Sequence, residues 1–466
     1  MIAAEQTAFI DEQKIDEILA HGRNHDAVRV REILATSREL RGLNLDDMAA
    51  LMAVEDPALL DEVFSTARWV KEEIYGNRLV LFAPLYISNV CKNDCSYCAF
   101  RTSNPDVKRR SLSQDEIRRE VEAIEKQGHK RILMLSGEAH GAEGLKYILD
   151  SIKTVYDTKV GRGEIRRVNV NMAAMTLDEF RQLKAAQIGT YQLFQETYHR
   201  ETYLKMHRGG PKRNYDFHVT AMDRAQQAGI DDVGIGVLFG LYDWRFEVLA
   251  SMQHIHHLEQ EFGVGPHTIS VPRIEPAVGS PVAEHPPYQV SNPDFLKIVA
   301  IYRLAVPYTG IIMSTREHME IRRETFRLGV SQISAGSRVD PGGYTEDIGD
   351  FNRAQFQVGD TRTTDEVIRD IVEMGFIPSF CTACYRLGRT GVDFMDMAKP
   401  GEIKYHCMPN ALSTFAEYLN DYASPKTREA GRRMIQQMLG EMEEGQRLIA
   451  DPLVRQVNLG KRDVFV

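Results

Sequence analysis

The segment APLYISNVCKNDCSYCAFR, residues 83–101, runs from an apolar, strand-like stretch into three cysteines. Cys91, Cys95 and Cys98 follow that stretch with the spacing C-x3-C-x2-C. Thiolates are soft ligands that suit iron–sulfur clusters, and three of them leave one iron of a four-iron cube without a protein ligand. Structural zinc sites prefer four protein ligands. The segment therefore predicts an open iron–sulfur cluster directly after a β-strand.

From residue 77 onward, β-rich runs alternate with amphipathic runs, which predicts alternating strands and helices around the cluster segment. The predicted strands span 79–88, 131–136, 166–172, 190–195, 232–238, 267–273, 310–316 and 331–336. The predicted helices span 113–128, 144–157, 176–187, 215–229, 244–263, 292–306, 317–329 and 363–375. Such alternation predicts an α/β fold, a (β/α)8 TIM barrel whose site lies at the C-terminal ends of the strands.

The predicted barrel divides the chain into three domains. An N-terminal helical extension covers 1–76, the barrel covers 77–375, and a C-terminal helical domain that holds an auxiliary cluster covers 376–466. A doubly wound open sheet is the competing topology for the middle domain, and periodicity alone does not exclude it. The barrel is favoured because eight units can close on themselves.

A second cysteine group lies in the predicted C-terminal domain, in CTACYRLGRTGVDFMDMAKPGEIKYHC, residues 381–407. Cys381, Cys384 and Cys407 have the spacing C-x2-C-x22-C and, with the first triplet, account for all 6 cysteines. Clustered cysteines in a large intracellular chain indicate metal or redox chemistry, not disulfides. We therefore expect a second iron–sulfur cluster, also with an open position.

Composition and charge limit the class of protein. Apolar residues make up 43% and charged residues 26% of the chain, as in water-soluble globular proteins, and no apolar run is long enough to span a membrane. The net charge of −9 gives no broad attraction to nucleic acid or anionic lipid. The N-terminal segment lacks the basic and apolar regions of a secretion signal. The sequence predicts a cytoplasmic protein that binds neither nucleic acid nor membrane.

The first triplet resembles the signature of radical S-adenosylmethionine (SAM) enzymes, C-x3-C-x-aromatic-C, with Tyr97 as the aromatic residue. In that superfamily SAM chelates the open iron, and one-electron reduction yields a 5′-deoxyadenosyl radical. Gly137 and Glu138, in LSGEAH, resemble the Gly-Gly-Glu element that meets the SAM amino group, with Ser136 in place of the first glycine. Glu196, in FQETYH, resembles an acidic residue that holds SAM in related barrels.

Longer stretches are similar to the aromatic amino-acid lyase branch of the radical SAM enzymes. They include NRLVLFAPLYISNVC (77–91), GTYQLFQETYHRETYLKMH (189–207) and PHTISVPRIEPA (266–277). Tyrosine lyases of this branch cleave L-tyrosine at the Cα–Cβ bond to p-cresol and dehydroglycine (2-iminoacetate). One family serves thiamine biosynthesis. Another family, which matures [FeFe] hydrogenase, adds a second cysteine triplet with the spacing found in this chain.

The resemblance to the hydrogenase-maturing family implies an enzyme with two stages, in which the second cluster turns dehydroglycine into CO and cyanide for the hydrogenase H-cluster. It implies two iron–sulfur clusters, SAM, an external electron donor and transient contact with other hydrogenase maturases. Two alternatives stay open. One is a 2-iminoacetate synthase of thiamine biosynthesis that forms neither CO nor cyanide, and the other is a non-catalytic carrier or scaffold for iron–sulfur units.

The same resemblance implies a fifth iron beside the auxiliary cluster, held partly by a histidine. His267 opens the sixth predicted strand, so we expect it at the N-terminal end of the barrel, where the C-terminal domain would cap it. Imidazole suits iron. We expect His267 to be this ligand, with His257 as the second choice.

The substrate tyrosine needs a partner for its carboxylate, and an arginine that binds both oxygens is the natural one. Arg316 ends the seventh predicted strand, on the face of the first triplet. The competing interpretation is a structural ion pair between Arg316 and Glu317 or another neighbouring carboxylate. Arg273 is the alternative carboxylate partner, and Ser314 and Asn171 are candidates to meet other polar atoms of the substrate.

Overall fold

The computed structural model describes residues 9–22, 26–139, 142–346 and 353–466, without the side chains of residues 142 and 143. Its strands are β1 Arg78–Ser88, β2 Arg131–Ser136, β3 Lys159–Val160, β4 Gly163–Glu164, β5 Arg167–Asn171, β6 Tyr191–Gln192, β7 Val233–Gly236, β8 Thr268–Ser270, β9 Gly310–Met313, β10 Gln332–Ser334 and β11 Ile377–Ser379. Strands β1, β2 and β5–β10 form a closed parallel barrel, because β10 pairs with β1 as well as with β9. This closure confirms the predicted (β/α)8 barrel and excludes the open sheet.

Helices surround the barrel and extend from both of its ends. They are α1 Glu12–His21, α2 Ala27–Ser37, α3 Leu45–Met52, α4 Pro57–Tyr75, α5 Gln114–Lys126, α6 Ala142–Asp157, α7 Leu177–Ala185, α8 Arg200–Met206, α9 Tyr215–Val219, α10 Ala221–Gln227, α11 Trp244–Phe262, α12 Pro281–Glu284, α13 Asn292–Ala305, α14 Met319–Leu328, α15 Thr364–Glu373, α16 Ala383–Arg386, α17 Gly391–Ala398, α18 Ile403–Asp421, α19 Pro425–Glu441 and α20 Glu444–Asn458. The run predicted as one helix over 215–229 forms two helices, α9 and α10, which meet at Thr220.

Local sequence fixes where several barrel helices begin. Ser113, Thr176 and Thr363 each precede a helix, and each is followed three residues later by a glutamate. In each case the hydroxyl accepts from the backbone N–H of the glutamate, whose carboxylate accepts from the backbone N–H of the cap. This reciprocal pairing satisfies two donors that a helix start leaves free, so it defines the first turn of α5, α7 and α15.

Strand β1 is buried along its whole length, as expected for a parallel strand that is covered on both faces. Successive side chains of a strand point to opposite faces. Leu79, Leu81, Ala83, Leu85 and Ile87 are fully buried in the main core. The residues between them line the interior of the barrel, where the two cavities described below are found.

The C-terminal helices follow a ninth strand that lies outside the closed ring. Strand β11 pairs in parallel with Arg78–Val80, at the N-terminal end of β1, and leads directly into Cys381. Helix α18, which carries Cys407, packs on β11 and on α4. This arrangement brings the second cysteine triplet to the N-terminal end of the barrel. The domain limits at residues 76 and 375 stay predictions, and residues 1–8 and 23–25 of the predicted extension lie outside the described residues.

Candidate functional site

A cavity of about 210 Å³, which we call the upper cavity, lies at the C-terminal ends of the barrel strands. Cys91, Cys95 and Cys98 line it from the loop that follows β1. In the described part of the chain, no three His, Cys, Asp or Glu side chains converge closely enough to hold a single metal ion. The three thiols border the same cavity.

The loop that carries the first triplet is anchored to the segment around α8. The backbone N–H of Ser96 donates to the carbonyl of Met206 at 2.8 Å, and Tyr97 Oη lies 2.9 Å from His207 Nε2. Both ring side chains are buried. Tyr97 therefore lines the upper cavity and also holds the cysteine loop in place. Its partner His207 lies 110 positions away and could not be identified from sequence.

Burial governs the protonation of these thiols. It raises the pKa of Cys98 to about 11 and raises the pKa of Cys95 well above the usual thiol value. Such thiols are protonated at neutral pH, and coordination to a cation removes the proton. Three soft sulfurs beside a cavity fit an iron–sulfur cluster with one iron left for another ligand.

Gly137 and Glu138 lie at the end of β2, beside the cysteine loop. A Cβ at position 137 would lie 2.4 Å from the carbonyl oxygen of Val90, so a larger residue would displace the backbone that leads into Cys91. The Glu138 carboxylate lines the upper cavity and accepts a hydrogen bond from Asn93 Nδ2. The structure thus brings both residues to the first triplet.

Glu196 lies in the same cavity, in an unusual backbone conformation with φ of 69°. A positive φ is uncommon for a residue with a side chain and marks a position that the surroundings constrain. Its Oε1 accepts from Lys212 Nζ at 2.6 Å, and both side chains are largely buried. Lys212 also lines the cavity, and sequence reasoning missed it because it belongs to a short 3-10 turn, Pro211–Arg213, far from the recognised motifs.

Arg316, Ser314 and Asn171 line the upper cavity as well. The Arg316 guanidinium lies over the ring of Phe356, with its central carbon 3.3 Å from the ring centroid. The ion pair considered for Arg316 and Glu317 does not form, because Arg273 binds Glu317, with Nε 2.8 Å from Oε1. Arg316 therefore stays available to an anion in the cavity.

Arg273 has a structural role that its sequence position does not reveal. Besides the buried Glu317 carboxylate, its guanidinium donates to Asn292 Oδ1 at 2.9 Å and to the carbonyl of Val290 at 3.0 Å. These acceptors occupy the guanidinium of Arg273. Of the two arginines, Arg316 lines the upper cavity and has no salt-bridge partner among the described residues, whereas Arg273 is paired with Glu317.

A second cavity of about 50 Å³, the lower cavity, lies at the N-terminal end of the barrel. Its lining residues include Cys381, Cys384, Cys407 and His267. Burial raises the pKa of Cys384 to about 12 and raises the pKa of Cys381. Strand β11 and helix α18 thus bring three thiols, separated by up to 26 positions in sequence (381 to 407), to one site with an imidazole.

His267 lies just before β8, with Nδ1 3.5 Å from Asp232 Oδ1. Burial lowers the pKa of the His267 imidazole, which keeps the ring neutral and able to act as a metal ligand. A carboxylate beside one ring nitrogen is a common way to orient the other nitrogen toward a metal. His257, by contrast, is occupied elsewhere, with Nε2 2.6 Å from Asp223 Oδ1 and its ring stacked on Phe9 at 4.0 Å.

Two family models match the chain. The model of the Radical SAM superfamily matches residues 85–252, which include the first triplet, Gly137, Glu138 and Glu196. The model of the Biotin and Thiamin Synthesis associated domain matches residues 270–377. These matches, together with the closed barrel, identify the chain as a radical SAM enzyme.

Solved structures and curated proteins resemble the chain over most of its length. The crystal structure of HydG, a maturase of the [FeFe]-hydrogenase, is 49% identical with a TM-score of 0.95, over 98% of this chain and 100% of that one. HydG from Carboxydothermus hydrogenoformans is 39% identical with a TM-score of 0.84, over 97% and 99%. The 2-iminoacetate synthase of Salmonella typhimurium is 29% identical, over 72% of this chain and 86% of that protein. No helix in the described part of the chain is both long and apolar enough to cross a membrane.

Proposed function

This chain belongs to the HydG family of radical SAM maturases, and we propose that it cleaves L-tyrosine at the Cα–Cβ bond and converts the resulting dehydroglycine to CO and cyanide. The observation that supports this proposal is the pair of cysteine triplets at opposite ends of one barrel. One triplet suits SAM chemistry, and the other suits a separate reaction of a small fragment. The products would serve assembly of the hydrogenase H-cluster.

The residues of the upper cavity would hold SAM and its cluster. Cys91, Cys95 and Cys98 supply three ligands, and the bound cluster and SAM supply the 5′-deoxyadenosyl radical after one-electron reduction by an external donor. Gly137 would keep the end of β2 close to the cysteine loop that binds the cluster, since a Cβ there would lie 2.4 Å from the carbonyl oxygen of Val90. The carboxylates of Glu138 and Glu196 would accept hydrogen bonds from polar groups of SAM.

The tyrosine substrate would bind deeper in the same cavity. Arg316 would bind its carboxylate, because a half-buried guanidinium that has no salt bridge among the described residues can donate to both oxygens. Ser314 and Asn171 would accept or donate hydrogen bonds to its remaining polar atoms. The apolar lining, which includes Phe82 and Leu133, suits an aromatic ring and excludes water from the radical step.

The second stage would take place at the lower cavity. Cys381, Cys384 and Cys407 would hold an auxiliary four-iron cluster, and His267 would hold a fifth iron beside it. The donor set fits because three thiols and a neutral imidazole are iron ligands. Dehydroglycine would reach this cavity through the barrel interior, where the side chains of β1 line both cavities in turn.

An assay of products tests the proposal. Anaerobically reconstituted protein with tyrosine, SAM and a reductant should yield p-cresol, CO and cyanide. The double variant Cys381→Ala, Cys384→Ala should keep p-cresol formation and lose CO. Loss of SAM cleavage in that variant would contradict the division of labour between the two cavities.

The 2-iminoacetate synthase reading is a second candidate, favoured by the match to the Salmonella enzyme over 86% of that protein. It predicts p-cresol and dehydroglycine without CO or cyanide from fully reconstituted protein. A carrier or scaffold would bind iron and sulfide but leave SAM intact under reducing conditions. Both outcomes would overturn the two-stage proposal. Transient contact with other hydrogenase maturases is proposed from the family alone.

A further inference from the structure

Arg78, the first residue of β1, carries a positive charge into the lower cavity. Its side chain lines that cavity together with Cys381, Cys384 and Cys407, and the residue is 7% exposed. Its Nε has no hydrogen-bond partner among the described residues. Cys407, Tyr75, Cys381 and Cys384 act most strongly on its charge. Asp232, a buried carboxylate that also lines the cavity, lies beside His267, and no salt bridge joins it to Arg78 among the described residues.

An arginine of the same region shows how this fold satisfies a buried guanidinium that has a purely structural role. Arg303 is fully buried, and its donors reach the carbonyls of Pro307 at 2.6 Å, Gly329 at 2.7 Å and Thr309 at 3.0 Å. Both guanidinium groups lie near the ring of Tyr75, at 5.1 Å for Arg303 and 5.3 Å for Arg78. The two arginines therefore differ in their hydrogen-bond partners. Arg303 donates to backbone carbonyls, whereas Arg78 faces the lower cavity.

Lys71 is a second buried basic side chain that interacts with Arg78. Lys71 is 1% exposed, and its Nζ has no hydrogen-bond partner among the residues that the structure describes. Nζ lies 4.1 Å from the centroid of the Phe376 ring. Burial, followed by the charges of Arg303 and Arg78, opposes protonation of Lys71 and lowers its pKa to about 7. The interior beside Arg78 thus disfavours further positive charge, as expected where buried cations lack a salt-bridge partner.

We propose that Arg78 is the counter-charge of the iron–sulfur group at the second triplet. Each thiol that binds iron releases one proton to solvent and becomes a thiolate. The charge of three thiolates exceeds the 2+ charge of an oxidised four-iron, four-sulfide core, so the loaded four-iron group is negatively charged overall, and its reduction would add to that charge. Arg78 stays protonated throughout and pairs with that charge. The inference rests on the proposed function, because it requires the second triplet to hold such a group.

If Arg78 has this role, removal of its charge should stabilise the metal-free protein and destabilise the protein that carries the iron–sulfur group. In the metal-free chain Arg78 is a buried cation that forms no salt bridge with any described residue, so an uncharged side chain of similar length removes an unfavourable desolvation free energy. In the loaded chain the same substitution leaves the negative group without its partner. A purely structural arginine such as Arg303 behaves differently, because its loss leaves buried carbonyls unsatisfied in both states.

The test compares Arg78→Met with Arg303→Met in the full chain. For Arg78→Met we expect the melting temperature of the metal-free protein to rise, while a chelator removes iron from the second triplet about tenfold faster, which corresponds to about 1.4 kcal/mol. The EPR signal of the first cluster and its response to SAM should not change. Arg78→Lys should restore much of the iron retention. Arg303→Met should lower the melting temperature of both forms.

Two results would overturn the inference, and they are distinguishable. If Arg78→Met lowers the melting temperature of the metal-free chain and retains second-site iron normally, Arg78 is structural and the proposed function stands. If the unsubstituted chain binds iron and sulfide only at the first triplet after reconstitution, the proposed function of the lower cavity fails, and the inference fails with it.

Discussion

Lys212 Nζ lies 2.6 Å from Glu196 Oε1 inside the upper cavity, where their side chains are 14% and 12% exposed. The pair holds a carboxylate in place at a residue whose backbone has a positive φ. Loss of one partner of a buried pair leaves the other charge uncompensated. The pair therefore connects the position of Glu196 to the side chain of Lys212.

We expect Lys212→Met to weaken SAM binding about tenfold or more, because an unpaired Glu196 no longer keeps its orientation. The measurement is the change in the EPR spectrum of the first cluster as SAM is added. Lys205→Met, at an exposed position of α8, is the matched control and should bind SAM normally. Normal SAM binding by Lys212→Met would show that the pair has no part in this site.

Gly137→Ala should abolish most SAM cleavage, since its Cβ would meet the carbonyl of Val90 at 2.4 Å and push the backbone next to Cys91. Cleavage is measured as 5′-deoxyadenosine formed under reduction. Gly445→Ala provides the control, because a Cβ at position 445 meets nothing within 4 Å. Equal activity of the two variants would mean that close approach at position 137 is unnecessary.

Arg316→Met should raise the KM for tyrosine about 30-fold to 100-fold, which corresponds to the roughly 2–3 kcal/mol of a charge-assisted hydrogen bond to a carboxylate. SAM binding to the first cluster should stay normal. Arg273→Met separates the two arginines, because its loss breaks the pair with Glu317 and should lower stability first. An unchanged KM for tyrosine in Arg316→Met would show that another residue binds the substrate carboxylate.

His267→Ala should remove the fifth iron while p-cresol formation continues, since His267 lies in the lower cavity and the radical step in the upper one. Iron content and the EPR spectrum of the second cluster report the loss. The control is His257→Ala, which removes a contact to Asp223 outside the lower cavity and should keep all the iron. The reverse result would make His257 the ligand.

Stability should depend on pH through Glu247, in the first turn of α11. Burial raises the pKa of its carboxyl to about 8, although Thr197 Oγ1 and the backbone N–H of Tyr198 donate to it. The folded protein therefore holds a proton that the unfolded chain releases near pH 4.5. This contribution is complete below that pH and is lost as the pH rises through about 8.

Glu247→Gln removes this titration, so the melting temperature of the unsubstituted protein should fall relative to that of the variant as the pH rises from 4.5 to about 8, the interval set by the two pKa values. Thermal unfolding across this range measures the difference. Glu261→Gln, at an exposed carboxylate of the same helix, should show no such trend. Parallel pH profiles for Glu247→Gln and the unsubstituted chain would refute the assignment.

The barrel could be predicted from sequence because each of its strands is an apolar run set between helical periodicities. The β3–β4 hairpin and β11 were missed, since each strand of the hairpin has only two residues and β11 has three, with Pro378 among them. Such short elements form because tertiary contacts stabilise them. The sequence shows that the second triplet follows the last barrel helix, but it does not show that the intervening segment forms a strand that pairs with β1.

Site residues that belong to a local sequence motif could be predicted. Site residues that are defined by a contact with a residue far away in sequence could not. The cysteine spacing and the Gly137–Glu138 pair are local patterns. Lys212 is a lysine in a short turn, and nothing near it signals a partner at Glu196. Arg273 and Arg316 both follow barrel strands, so only the fold could show which of them Glu317 neutralises.

Strand β1 contributes side chains to the cavities of both cysteine triplets. Arg78 and Val80 line the lower cavity, whereas Phe82, Pro84 and Tyr86 line the upper one, so every second residue of one strand serves one of the two sites. Because side chains alternate, a shift of β1 by one residue would turn all five of these positions away from the interior at once. A change of register along the whole strand would therefore disturb both sites together, whereas a substitution at one of the five positions can change one site alone.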